Sequence, residues 1–331
     1  MVLTAQPRLR ALPAAAARRL VDLRREIETV RLRQHVERLA EPRGRRHAPA
    51  AMDRAEAYVA RELESADWLV RRRPFTVAGT GIAGANLLAH RPGRVSGRAP
   101  DLLVGAHLDT VPGSPGADDN ASGVAGLLEL ARILPAESAG RVRLVVFDEE
   151  ETGLHGARAL ATELAAGDRP TAVVVFECVG YTAAAAGSQR LPPAAALAYP
   201  GQVRRLRRRG WRGDWTLIAY RNDALRPARL LGSGLAQLGG PDAVVLARDP
   251  LDIPFVGPLL RRYLPAAEHF ARSDHQPFWD LGIPAIQVTD TADFRNPHYH
   301  RPGDIPGTLD YERLADITAA TAVALGELVA G

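Results

Sequence analysis

From residue 101 onward the chain alternates short apolar runs with stretches of helical periodicity, and that alternation restricts the fold more than any other feature. The apolar runs are Asp101 to His107, Arg141 to Phe147 and Thr171 to Glu177, with helical patterns beginning at Ala121 and His155 between them. Nearly continuous apolar strands separated by helices argue for a mainly parallel sheet covered on both faces. Further strands are expected at Trp215 to Tyr220, Ala243 to Leu246 and Ile283 to Thr289, with helices over about Ala224 to Leu238 and Leu309 to Val329. The expected class is α/β, a three-layer α/β/α sandwich around a central, mainly parallel mixed sheet.

The N-terminal part reads differently. Leu20, Leu23, Ile27, Val30, Leu32, Val36 and Leu39 recur at helical spacing, which predicts one helix over about Ala14 to Leu39, broken by Pro42-Arg-Gly. A second helix is expected over Ala51 to Leu63 and a strand over Trp68 to Val77, so a helical segment spans about 14–66. Gly79-Thr-Gly-Ile-Ala-Gly84 matches GxGxxG in form, but Ala85 to His90 reads as a strand, where dinucleotide binding requires a helix. It is taken as a hairpin loop. With 331 residues, 46% of them hydrophobic, the chain can bury the core of one domain over 1–331.

All 42 basic residues are arginines, spread along the chain, and the formal net charge is only +4. No nucleic-acid partner is therefore expected. The densest run, Arg204 to Arg212, reads as a solvated loop inside a longer site-proximal loop over about 181–214. The lone cysteine, Cys178, excludes an intramolecular disulfide. Ala11 to Ala17 is too short and weakly apolar for a signal peptide, and no window approaches a membrane span, so cytoplasmic residence without a membrane partner is expected.

The stretch Val104 to Gly123, VGAHLDTVPGSPGADDNASG, carries the first sign of chemistry. His107 and Asp109 lie two apart at a strand end, on one side; Asp118, Asp119 and Asn120 precede a helix start. Strand ends and helix starts are where open α/β sheets place ligands. Asp148 to Glu151 close another strand, four consecutive acids that repel unless a cation or water intervenes. Glu177 ends the apolar run Ala172 to Phe176, a poor place for an unpartnered carboxylate. His298, Tyr299 and His300 stand in a turn-rich segment. His35, His47, His90, His155 and His269 are assigned no role. Ser273-Asp274-His275 is not a serine triad, because adjacent residues cannot face one another in that geometry.

In order along the chain, HLD, GADDNASG, EExGLxGA, SDHxPFW (Ser273 to Trp279) and HYHxPxD resemble metallopeptidase family twenty-eight, the two-zinc aminopeptidases related to glutaminyl cyclase. The resemblance covers roughly Leu32 to the end. It implies two Zn2+ ions per chain, one held by His107, Asp119 and Glu177 and the other by Asp119, Glu151 and His300, with Asp119 bridging. It further implies Glu150 as general base, Asp109 behind His107 as its orienting group, and Tyr299 as a donor to the oxyanion. The Asp119–Asn120 peptide would be cis. The departure is Glu177, where the best-known aminopeptidases carry aspartate. Two zinc ions sharing a carboxylate would lower the pKa of a bridging water from 15.7 toward ~7, and a general base contributes roughly 10²- to 10⁴-fold.

The function this implies is a zinc exopeptidase acting on peptides with a free amino terminus. Asp274, His275 and Phe278 are expected to line the substrate site, with Phe278, Trp279 and the segment from Ala183 to Trp215 walling a pocket for the first side chain. A cyclotransferase of the glutaminyl cyclase kind, a carboxypeptidase and an inactive binding domain are the rivals, and oligomeric state is open.

Overall fold

A computed structural model describes residues 6–91, 102–136, 140–192, 195–253 and 272–331. Three helices lead: α1 (Ala14–Glu26), α2 (Thr29–Leu39) and α3 (Pro49–Ser65). The single helix expected over 14–39 is in fact two, because Ile27 and Glu28 take extended backbone angles. The break buries Ile27 and lets each piece dock its own apolar stripe.

The strands are β1 (Leu69–Val77), β2 (Ile82–His90), β3 (Leu102–His107), β4 (Val142–Phe147), β5 (Ala172–Glu177), β6 (Thr216–Tyr220), β7 (Val244–Arg248) and β8 (Ala285–Thr289). They form one eight-stranded sheet in the order β1-β2-β4-β3-β5-β8-β6-β7. Its centre is parallel, from β4 through β3 and β5 to β8, while β1, β2 and the β8–β6 junction pair antiparallel. The architecture is the expected α/β one. Gly79-Thr-Gly81 turns the β1–β2 hairpin, in which Val77 pairs with Ile82. At the sheet edge β1 carries Arg71, Arg72, Arg73 and Pro74 on an exposed strand, charges and a missing N–H that discourage pairing with another chain.

Every residue of β3, β4 and β5 is buried, which is why these strands read as apolar runs rather than alternating ones. One face is covered by α1, α2, α4 (Gly123–Ile133), α7 (Leu225–Gly239) and α9 (Tyr311–Ala330). The other is covered by α5 (His155–Ala166) and the short helix α8 (Gln276–Asp280), around Phe147, Leu160 and Ile283. The arginine run expected in a loop instead builds α6 (Pro200–Arg208), which buries Gln202 and Leu206 while Arg205 and Arg209 pair with Asp242 and Asp214. Among the described residues no helix is long and apolar enough to cross a membrane. His269 and Asp101 lie outside the described residues.

Candidate metal centre

The parallel strands end at one edge of the sheet, and register aligns their last residues: His107 on β3 pairs with Phe147 on β4, and Glu177 on β5 with Thr289 on β8. The loops leaving these ends bring the sequence-distant acids together. His107 Nε2 lies 3.1 Å from Asp119 Oδ1 and 3.3 Å from Glu177 Oε2. His300 Nε2 lies 3.0 Å from Asp119 Oδ2 and 3.2 Å from Glu151 Oε2. Asp119 thus turns one carboxylate oxygen to each histidine, and the five groups fall into two triads that share it.

The donor set suits metal. Imidazole nitrogens and carboxylate oxygens are zinc ligands, and His107 Nε2, both oxygens of Asp119 and Glu151 Oε1 are buried without a well-formed hydrogen bond among the described residues. Burial first, then the charges of Glu177 and Asp274 against the relief of His107, pushes Glu150 well above the carboxylate range. Burial and the charge of Asp119 raise Glu151 to about 7. Asp119 is held low despite its burial, because His107 and His300 both face it. Such crowded acids ionise together only with cationic charge among them.

Local backbone places the donors. The segment Ala117–Ser122 is a wide turn in which Asp119 and Asn120 leave helical angles, and the peptide between them is cis. Gly116 enters it at φ 60°, where a Cβ would sit 2.3 Å from the Asp119 carbonyl oxygen. Glu149, Cys178 and His300 also have positive φ, rare for residues with side chains, and each is in the site or next to it in sequence.

Asp109 meets both His107 and the loop after β4. His107 Nδ1 is 3.1 Å from the Asp109 backbone carbonyl, whereas the Asp109 carboxylate lies 3.7 Å from it. That carboxylate instead accepts the amides of Glu150 and Glu151 at 3.0 and 3.1 Å. Three supporting groups escaped the sequence reading. Asp304, in HYHxPxD, accepts the amides of Asp118 and Asp119 at 2.8 and 3.1 Å. Ser273 donates to Glu177 Oε2 at 2.8 Å, which gives the SDHxPFW serine a structural reason. Arg43, fully buried, donates to the carbonyls of Leu39, Glu41, Leu108, Pro115 and Gly116 and so ties α2 to the loop between His107 and Asp119. The motif containing Asp304 marked it; nothing in Pro42-Arg-Gly distinguishes Arg43 from a helix stop.

A pocket open to solvent adjoins the triads at Glu177, with Tyr299 also on its wall. Its walls are largely apolar: Leu217, Val245 and Ala247 from the sheet, Val203 and Leu206 from α6, and Trp215. Described residues of the segment Ala183 to Trp215 thus line this pocket, and part of that segment is helix α6 rather than loop. The Tyr299 ring stacks on His300 with centroids 3.9 Å apart. Phe278 and Trp279 do not reach this pocket. Phe278 is fully buried against Phe147 in the core beneath the sheet, and the Trp279 indole donates to the Ala285 carbonyl, because apolar side chains on α8 face the sheet. Asp274 and His275 are also fully buried and line no part of it: His275 packs edge-on against Trp279, and Asp274 sits in the field of His107 and Glu177.

A family model described as Peptidase family M28 matches residues 86–203 and 254–325. The uncharacterized protein YfbL of Escherichia coli (strain K12) is 33% identical over 231 residues, 66% of this chain and 64% of YfbL. Aminopeptidase YwaD of Bacillus subtilis (strain 168) is 48% identical over 59 residues, 17% of this chain and 13% of YwaD. The chain thus spans less than two thirds of the length of either relative. The LapA aminopeptidase of Legionella pneumophila superposes with a TM-score of 0.68 over 99% of this chain and 78% of that one at 16% identity, a likeness of fold. The family match spans more than half of the chain, and the chain belongs to peptidase family M28.

Proposed function

We propose that the chain is a metal-dependent aminopeptidase that removes the first residue of peptides with a free amino terminus. The observation that carries this reading is Asp119, whose two carboxylate oxygens face His107 and His300 at 3.1 and 3.0 Å and so join two triads of metal-type donors. His107, Asp119 and Glu177 would hold one zinc ion and Asp119, Glu151 and His300 the other. Bound there, such ions polarise a carbonyl and make water acidic enough to attack near neutral pH.

The chain's own groups do the rest. Glu150, whose amide is fixed by Asp109, accepts the proton of the attacking water and returns it to the leaving amine. Tyr299, held by its stack on His300, donates to the developing oxyanion. The adjoining pocket takes the side chain of the residue released, and its apolar walls exclude water from it.

The test joins metal analysis to a substrate panel. Purified protein should carry two divalent ions per chain, lose activity with chelator, and cleave amino-acid amides but not their N-acetylated counterparts. Release of cyclised amino-terminal glutamine without hydrolysis would assign the site to a cyclotransferase instead. Failure to retain any metal on reconstitution would end the reading.

A further inference from the structure

Away from the metal-type donors and Tyr299, Gln287 stands apart among the polar side chains lining the pocket. It is only 9% exposed, and its amide forms no hydrogen bond among the described residues. Its neighbours are engaged: Thr289 accepts the Thr291 amide at 3.0 Å, Gln189 binds Thr291 and Arg295, Tyr199 donates to the Arg248 carbonyl, and Gln202 to that of Leu246. Its amide atoms are not among the fully buried unpartnered ones, so the amide faces the pocket, where water pairs it until a ligand's polar group takes that place.

Register gives its depth. Thr289 pairs with Glu177 at the metal-side end of the sheet, and Gln287 pairs with Val175, two residues further in on the same face. Two strand residues are ~7 Å. Across the sheet Gln287 pairs with Ala219, which in turn pairs with Ala247, so small side chains leave room beside it, whereas Thr289 is flanked by Leu217 and Val245. The pocket thus has Leu217 and Val245 beside Thr289 and, two residues further in, the Gln287 amide beside Ala219 and Ala247.

We infer that Gln287 is a specificity-determining residue that selects amino-terminal side chains apolar along their length and ending in a hydrogen-bonding group, tyrosine above all. The inference rests on the aminopeptidase reading, which makes this pocket the seat of the first side chain. The tyrosine hydroxyl lies at the end of a flat apolar ring and can both donate to and accept from a carboxamide. Phenylalanine fills the same walls and leaves the amide unpaired.

The experiment compares kcat/KM for tyrosinamide, phenylalaninamide and leucinamide in the metal-loaded wild type, Gln287→Leu and Gln287→Met. Wild type should favour tyrosinamide over phenylalaninamide by about 10-fold, the weight of one neutral hydrogen bond, and both variants should abolish or invert that ratio. Two volume-conserving variants guard against misfolding in one of them. A wild-type ratio near one, or a ratio unchanged in both variants, overturns the inference while leaving the aminopeptidase reading in place. If no amide is turned over, that reading fails, and calorimetric binding of tyrosinol against phenylalaninol decides the pocket alone: equal affinities overturn the role of Gln287, and a tyrosinol preference lost in the variants upholds it.

Discussion

The carboxylate of Asp109 accepts the backbone amide of Glu150 at 3.0 Å, so the loop after β3 orients the loop after β4 without either strand's help. Its second oxygen accepts the amide of Glu151, and Asp304 repeats the arrangement on Asp118 and Asp119. Each of these buried acids fixes two successive peptide groups, at least one of which carries a candidate metal or catalytic side chain. Asp109→Asn keeps the shape but turns an amide NH₂ toward a backbone N–H. Urea denaturation should show a loss on the order of 1–3 kcal/mol, with weaker metal retention against a competing chelator.

Glu150 and Glu151 look equivalent in sequence and should separate in experiment. Glu150→Gln can still hydrogen-bond but cannot take a proton, so turnover should fall by roughly 10²-fold or more with both metals retained. Glu151→Gln removes a charged donor facing His300, so metal affinity should fall first, with activity partly recovered by added zinc. Metal analysis beside steady-state kinetics checks both; the opposite assignment would move the base by one residue.

Glu177 is held by the Ser273 hydroxyl at 2.8 Å, which positions the longer side chain found here. Glu177→Asp should keep measurable activity with looser metal binding, and Ser273→Ala should loosen it in the same direction. Unchanged metal occupancy and turnover in Glu177→Ala would remove it from the donor set.

Arg43 is a buried cation bonded to five carbonyl oxygens, and burial lowers its pKa only to about 10, so it is charged at neutral pH. Arg43→Met strands those carbonyls and should cost roughly 3 kcal/mol or more in denaturant unfolding. Arg43→Lys should recover only part of this, because an ammonium cannot reach the same spread of acceptors.

Far from the site, Glu129 is fully buried on α4 beneath Arg31, Arg132 and His35. Burial alone would raise its pKa, but those hydrogen bonds prevail and hold it at about 2, below its ordinary 4.5. A depressed carboxylate pKa gives stability that is complete above pH 4.5 and is lost as pH falls toward 2. Glu129→Gln should therefore cost on the order of 3 kcal/mol at pH 7, and the difference from wild type should close between pH 4.5 and 2. An equal gap at pH 7 and pH 2.5 in thermal melts would contradict this.

The N-terminal helices show the limit of periodicity. One apolar stripe runs through 14–39, yet the chain breaks at Ile27, because the direction in which a stripe must dock depends on partners, α4 and α9, that begin about a hundred residues or more downstream. Phe278 and Trp279 show the same limit: an aromatic pair beside a polar motif reads as pocket or core with equal ease, and only the position of α8 against Phe147 decides for core.

What the sequence determined by itself was local and chemical. Unbroken apolar runs such as Ala172 to Phe176 require burial on both faces, and hence a sheet covered by helices. Acids and histidines at the ends of those runs mark where ligands gather, because parallel strands end at one edge. Tertiary structure alone decided which oxygen of Asp119 faces which histidine, that Asp109 spends its carboxylate on peptide groups, and that the Gln287 amide faces the pocket. Those relations are set by register between strands and by the path of loops, through contacts between residues tens to nearly two hundred positions apart, and no spacing along the chain encodes them.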